Sequence, residues 1–238
     1  MSRYLLTPHT YLCITDDHAV FLDLKRDKYI GIGRAQMEAL AASLKGWPQK
    51  LFPASQNGAG QEPAPVLSKL EAAGMLTTDP AVGKEATPPV VPRPDSTLVE
   101  PDLEARAHYT FAHVMHFLAS AALATFALRV LRIEGAVRRV RARKQAAQPI
   151  RHEIDLEAAR ELVSAYFHLR PWLFGARNAC LFDSLVLVEF LARHGLFATW
   201  VFGVETGPFS AHCWVQEGTT VFNDTPEHVR RYTPILAV

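Results

Sequence analysis

Cysteine is scarce: the 238 residues hold three, Cys13, Cys180 and Cys213. An odd, sparse set does not build a disulfide framework. No pair of them stands at zinc-ligand spacing, and the ten histidines form no H-E-x-x-H pattern, so no metal is implied. An excess of one charge is lacking too. Lys plus Arg number 25 against 24 Asp plus Glu, a formal net charge of +1, so no global field points to nucleic acid. There is no glycine-rich phosphate loop, because Gly31 and Gly33 in YIGIG lack the following helix-start glycine and basic residue. No cofactor is expected. The first residues, MSRYLLTPHTYLCITDDHAVFLDL, bring a histidine and two aspartates before any apolar core of secretory length. The cytoplasm is therefore the expected compartment. Long hydrophobic runs are also missing. VMHFLASAALATFAL spans only Val114 to Leu128 and contains His116, whereas a bilayer span needs about 20 residues. A buried helix is expected there; membrane association is possible but not expected.

What is present divides the chain in two. In HAVFLDL, Val20, Leu22 and Leu24 alternate with Phe21 and Asp23, a strand signature. KRDK is a polar turn, and YIGIG resumes extended structure. From Arg34 to Leu44 the period turns helical, with Met37, Leu40, Ala41 and Leu44 on one face, until Gly46 and Pro48 stop it. QNGAGQEPAP reads as a loop. A second helix carries Val66, Leu67, Leu70 and Ala73 and ends at Gly74, before a short extended MLTT. Residues 1–80 thus predict a small α+β domain. The next stretch, residues 80–101, holds six prolines and little apolar periodicity, which predicts a semi-extended linker over 81–102.

Residues 103–238 predict a second domain that opens with a helical region, 103–150, helical from about Leu103 to about Lys144. Its latter part, RVLRIEGAVRRVRARK, sets Arg129, Arg132, Arg138, Arg139, Arg141, Arg143 and Lys144 against Glu134 alone. That pattern is a solvated helix face or a docking surface for an acidic partner or an anionic membrane. A helix follows over Leu156 to Leu169, then a turn at Pro171, Trp172 and Gly175, then a helix from Cys180. Strands LFATWVFGV, AHCWVQE and TTVFND complete the order, with a turn at Gly218.

Cys180 opens an apolar helix in RNACLFDSLVLVEFLARHGLF. A lone cysteine there is a buried thiol or a nucleophile. Asn178 is a suitable N-cap, which would set Cys180 in the first turn, where free N–H groups and the helix dipole favour a thiolate. Alternation in SAHCWVQE puts His212 and Trp214 on one face and Ala211, Cys213 and Val215 on the other. Pairing through the Gly218 turn would bring Asp224 beside His212, where a carboxylate fixes the imidazole tautomer. The joint arrangement favours the nucleophile, with His212 as base and His228 as runner-up. Asp183 reads as a helix-start acid, His108, His113 and His116 as packing or surface residues, and Trp200 and Trp214 as core.

ACLFDSLVLVEFLARHGLFATWVFGV, AHCWVQ and VFND together resemble the transglutaminase-like cysteine peptidases. More closely, they resemble the B proteins of lasso peptide biosynthesis, which are leader peptidases. The shared elements are Cys180, Arg193 to Gly195, Ala211 to Val215, and Asn223–Asp224. Cys213 departs from the alanine common in that family and is expected to face away from His212 and serve packing. VFLDLKRDKYIGIG followed by VLSKLEAAGMLTT resembles the RiPP recognition element, a PqqD-like winged-helix domain that binds leader peptides.

The resemblance implies an α+β protein. A winged-helix-like recognition domain would precede a transglutaminase/papain-like domain with helices packed on an antiparallel sheet. It implies catalysis by Cys180, His212 and Asp224. It also implies that a leader adds as a strand along Lys28, Tyr29, Ile30, Gly31 and Ile32 and lies against Val66, Leu67, Leu70 and Ala73. The implied partners are a precursor's leader and a separate ATP-dependent asparagine-synthetase-like cyclase. Two alternatives stay open: a non-catalytic leader chaperone, and acyl transfer in place of hydrolysis.

Overall fold

The computed structural model describes residues 4–48, 64–99, 108–147, 154–173 and 180–238. Asn178, Gly175, most of the QNGAGQEPAP loop and Leu103 lie outside them. The chain divides into two compact units, one built mainly from residues 1–90 and the other mainly from residues 91–238.

In the first unit, β2 (Thr10–Ile14), β3 (His18–Asp23) and β4 (Lys28–Gly33) form a three-stranded antiparallel sheet in the order β2-β3-β4. The turn between β3 and β4 is held by Asp23. Its carboxylate accepts from the N–H groups of Lys25 and Arg26 and from the Arg26 guanidinium at 2.8 Å. Burial pushes the Asp23 carboxyl up, but the hydrogen bonds from Arg26 outweigh it and hold it below the usual range. The simple two-faced reading of HAVFLDL does not hold, because Ala19 to Leu24 are all buried. Asp23 tolerates this because every nearby donor converges on it. Helices α1 (Arg34–Ser43) and α2 (Ala64–Ala72) supply Met37, Leu40, Leu67 and Leu70 to a core shared with Phe21 and Ile32. Strands β1 (Leu5–Leu6) and β5 (Leu76–Thr77) pair antiparallel.

The proline-rich segment is packed rather than free. Ala86 is fully buried in the core of the first unit, and Lys84 exchanges main-chain hydrogen bonds with Leu6. Further on, β6 (Ser96–Thr97) joins the sheet of the second unit parallel to β9 (Thr220–Val221). Proline-flanked residues are extended by default, and an edge position tolerates the missing N–H groups.

The second unit opens with α3 (Phe111–Phe126), a π turn over Ala127–Leu131, and α4 (Arg132–Ala147). Among the described residues α3 starts at Phe111, where Thr110 and His113 make a reciprocal capping box. Arg132 takes φ 59 and separates the two helices. The apolar stretch is only half buried. Phe117, Ser120, Ala121 and Ala124 are covered, whereas Phe111, Met115, Leu118 and Phe126 are exposed. Nor is α4 simply a solvated basic face. Arg143 pairs with the buried Glu189 of α6 (Cys180–Arg193), and Lys144 donates to Thr199 Oγ1 at 3.0 Å.

Helix α5 (Leu156–Leu169) is capped by Asp155. Strands β7 (Thr199–Thr206), β8 (Phe209–Glu217) and β10 (Thr233–Ala237) complete a sheet in the order β10-β7-β8-β9-β6. The parallel β6 makes it mixed rather than wholly antiparallel. Trp200 and Trp214 are core residues.

Candidate active site

Cys180 is the first residue of α6 among the described residues, at the helix end whose dipole favours negative charge. The first turn is anchored from below. Ser184 Oγ donates to the Cys180 carbonyl at 2.6 Å and accepts from Trp200 Nε1 at 2.8 Å. Asp183, read from the pattern as a helix-start acid, is buried and serves as a junction. Its carboxylate accepts from Tyr166 Oη at 2.9 Å, from Asn223 Nδ2 at 3.1 Å and from Arg170 at 3.4 Å. Burial first, then the Asp183 charge, pushes the Tyr166 phenol well up, so it stays a donor.

Strands β8 and β9 pair antiparallel with Gln216 opposite Val221, and Phe222 N–H donates to the Val215 carbonyl. Beyond that point the ladder is taken over by a side chain, because Val215 N–H donates to Asn223 Oδ1 at 2.8 Å. Asn223 therefore ties β8 to Asp183 and releases the chain so that Asp224 turns toward His212. The distance from His212 Nε2 to Asp224 Oδ2 is 2.6 Å. His212 lies parallel to the Trp214 indole, with centroids 6.0 Å apart, and beside Tyr232 at 5.1 Å. Gly203 makes room for this stack: a Cβ there would stand 2.8 Å from Tyr232 Cβ and 2.9 Å from the Trp214 ring.

The Cys180 thiol hydrogen-bonds both Cys213 and His212. With His212 Nε2 committed to Asp224, Nδ1 is the nitrogen left for sulfur. The S–H bond from Cys213, then the bond from His212, hold the Cys180 thiol down at about 4 against the opposing effect of burial. Burial pushes the His212 imidazole down, but the bonds to Asp224 and Cys180 outweigh it and raise His212 to about 9. Burial likewise pushes Asp224 up and is outweighed by His212, His228 and the Thr225 N–H, leaving it low. Between these limits the sulfur is a thiolate and the imidazole is protonated. Such a pair attacks a carbonyl and returns a proton to the leaving group.

The structure places Cys180, His212 and Asp224 beside one another, and Cys213 stands with them. The bond to the Cys180 sulfur, and then burial, push the Cys213 thiol well up. Both its S–H and its main-chain N–H reach the Cys180 sulfur. His228 is also closer than its ranking implied. Its Nδ1 lies 2.8 Å from Asp224 Oδ2, the same oxygen that His212 bonds, and the two imidazole rings stand 4.8 Å apart. His212, Asp224 and His228 form a group that could ligate a metal ion, with ligand atoms within 4.8 Å of one another. Here those atoms hydrogen-bond each other instead. His116 and His194 pair with one another, His116 Nδ1 lying 3.1 Å from His194 Nε2.

Of the residues expected to contact a leader, Lys28 to Ile32 lie on β4, an edge strand of the three-stranded sheet. Ile32 is buried, Tyr29 and Ile30 are half-buried, and Lys28 and Gly31 are exposed. On α2, Leu67 and Leu70 point into the core, so Val66 and Ala73 alone keep surface there. The helical period puts all four on one face, and the core of the first unit takes Leu67 and Leu70 from it.

The arrangement has the chemistry that acyl transfer through a thiol requires. A family model described as Transglutaminase-like superfamily matches residues 120–237, a span that contains Cys180, His212 and Asp224. The C-terminal half of the chain therefore carries a transglutaminase-like superfamily domain, consistent with cysteine peptidase or acyltransferase activity. No curated protein and no solved structure matches the chain.

Proposed function

We propose that this chain is a leader peptidase of lasso peptide maturation, in which the first unit captures the precursor's leader and the second cuts it from the core. The observation that carries the catalytic half is the hydrogen-bonded Cys180–His212–Asp224 set, with its thiol lowered and its imidazole raised. The capture half rests on the resemblance of residues 1–80 to the RiPP recognition element and on the edge position of β4, which suits strand addition.

In this reading the Cys180 thiolate attacks the carbonyl at the leader–core junction. The N–H groups at the start of α6 stabilise the oxyanion. His212 gives its proton to the leaving amine, which is the new N-terminus of the core. The leader is then held as a thioester. Water attacks it with His212 as base, which frees the leader carboxylate and restores the thiolate. Asp224 keeps Nδ1 facing the sulfur throughout. The freed core amine passes to a separate ATP-dependent asparagine-synthetase-like cyclase, and the reaction takes place in the cytoplasm.

The test is mass spectrometry of a synthetic precursor incubated with the full chain. Free leader and free core support the proposal. A leader joined to an added amine would assign acyl transfer instead. Intact precursor with tight binding would assign a chaperone.

A further inference from the structure

Helix α3 is apolar on two sides, and the second unit covers only one of them. The covered side carries Phe117, Ala121 and Ala124 and is locked onto α6, where Arg193 donates to Ser120 Oγ at 3.0 Å and His116 meets His194. The other side shows Phe111, Met115, Leu118 and Phe126 to solvent, at intervals of three, four and eight residues. That spacing makes one straight stripe on a helix. The π turn extends the stripe with exposed Val130 and Leu131. Phe111 is 79% exposed and Val130 62%. A continuous bare apolar stripe of this kind marks an interaction site.

What borders the stripe identifies what it meets. No Asp or Glu occurs between Phe111 and Ile133. At one end Trp172, 64% exposed, stands edge-on to Tyr109, with ring centroids 6.3 Å apart. At the other end Arg129, Arg132 and Arg138 are exposed. Aromatic rings with a polar tip, an aliphatic middle and a fringe of arginines against the single Glu134 match the interfacial zone of an anionic bilayer. A protein partner would leave some of these arginines in need of carboxylates on its own surface, whereas lipid phosphates supply them everywhere.

We propose that the exposed face of α3 and the π turn is a docking surface for an anionic phospholipid membrane. The helix lies on the bilayer and does not cross it. By length and composition the stretch Phe111–Ala147 is long and apolar enough to span. Its inner side, however, is spent on α6, and α4 carries Arg138, Arg139, Arg141, Arg143 and Lys144. This surface is separate from Cys180 and holds whether or not the leader-peptidase reading does.

The experiment is flotation of the full chain with vesicles of phosphatidylcholine alone or mixed with phosphatidylglycerol, at low and high salt. Binding is expected to the mixed vesicles, to weaken with salt, and to bring a blue shift in Trp172 emission. That shift should vanish in Trp172→Phe, since Trp47, Trp200 and Trp214 are buried. Arg129→Glu with Arg138→Glu should lower binding by about fivefold or more per site. Phe111→Ser with Leu118→Ser should abolish it. Both pairs are exposed, and unchanged circular dichroism checks that they fold. No binding to mixed vesicles overturns the proposal, as does equal binding to neutral vesicles. A concentration-dependent dimer without lipid, lost in the Phe111→Ser/Leu118→Ser chain, would also overturn it and assign the stripe to a second copy.

Discussion

Cys213 places both its thiol and its main-chain N–H on the sulfur of Cys180. A neutral S–H donor and a fixed N–H stabilise a thiolate without adding charge. Removing the S–H should therefore move the acidic limb of activity and leave the chemistry in place. Cys213→Ala should act at neutral pH within a few-fold of the parent, with its acidic limb shifted to higher pH. The check is kcat/KM against pH. An unmoved limb would return Cys213 to packing.

The parent profile is itself predicted. The active form needs the thiolate, gained as pH rises through about 4, and the imidazolium, lost as pH rises through about 9. A broad bell between those values is expected. Asp224→Asn removes the carboxylate that raises His212, so the basic limb should fall toward neutrality while the acidic limb survives. A basic limb that stays in place would mean that Asp224 does not hold the imidazole.

The site was legible in part because its members sit on regular elements. A helix start and two hairpin strands have fixed periods, so Cys180, His212 and Asp224 could be placed relative to one another. Cys213 was not, because a period of two speaks only of side chains, whereas part of its contact with Cys180 is made by its N–H. Glu189 reads as a polar break in an apolar helix and gives no hint of Arg143, which lies 46 positions away. The α3 stripe was read as buried because composition has no direction. Apolar residues all round a helix say that one side is covered, and do not say which side is bare.

His228 shares Asp224 with His212, but the sulfur's own partners are Cys213 and His212. Cys180→Ala should abolish cleavage, and His212→Ala should cost roughly 10² to 10⁴-fold. His228→Ala should stay within a few-fold, because Asp224 keeps its 2.6 Å bond to His212. Single-turnover rates on the precursor separate the three. An essential His228 beside a dispensable His212 would reverse the assignment of the base.

The Arg143–Glu189 pair carries a stability prediction. Glu189 is 1% exposed, so losing its partner strands a charge in the core. Arg143→Ala should cost about 3 kcal/mol, the low end for a broken buried pair, because Arg139 still lies 3.8 Å from the carboxylate. The Arg143→Met/Glu189→Gln double variant should recover much of that loss, since no buried charge remains. Urea unfolding of the full chains measures both. A double variant no better than Arg143→Ala would mean that packing by the arginine stem, rather than its charge, holds α4 to α6.

Division of labour between the units is open to test with the full chain alone. If the leader adds to β4, main-chain N–H groups of the leader carry the affinity and side chains set the register. Proline placed in that leader segment removes a donor, so KM should rise while kcat stays near the parent value. A short peptide holding only the leader–core junction should be cut with a similar kcat. It should need a far higher concentration, because tethering through the leader raises the effective concentration of the scissile bond at Cys180, into the millimolar range for a short linker. Adding free leader in trans should inhibit cleavage of the full precursor and leave the short peptide untouched. If free leader inhibits both equally, it binds in the cleft of the second unit, and β4 has no part in capture.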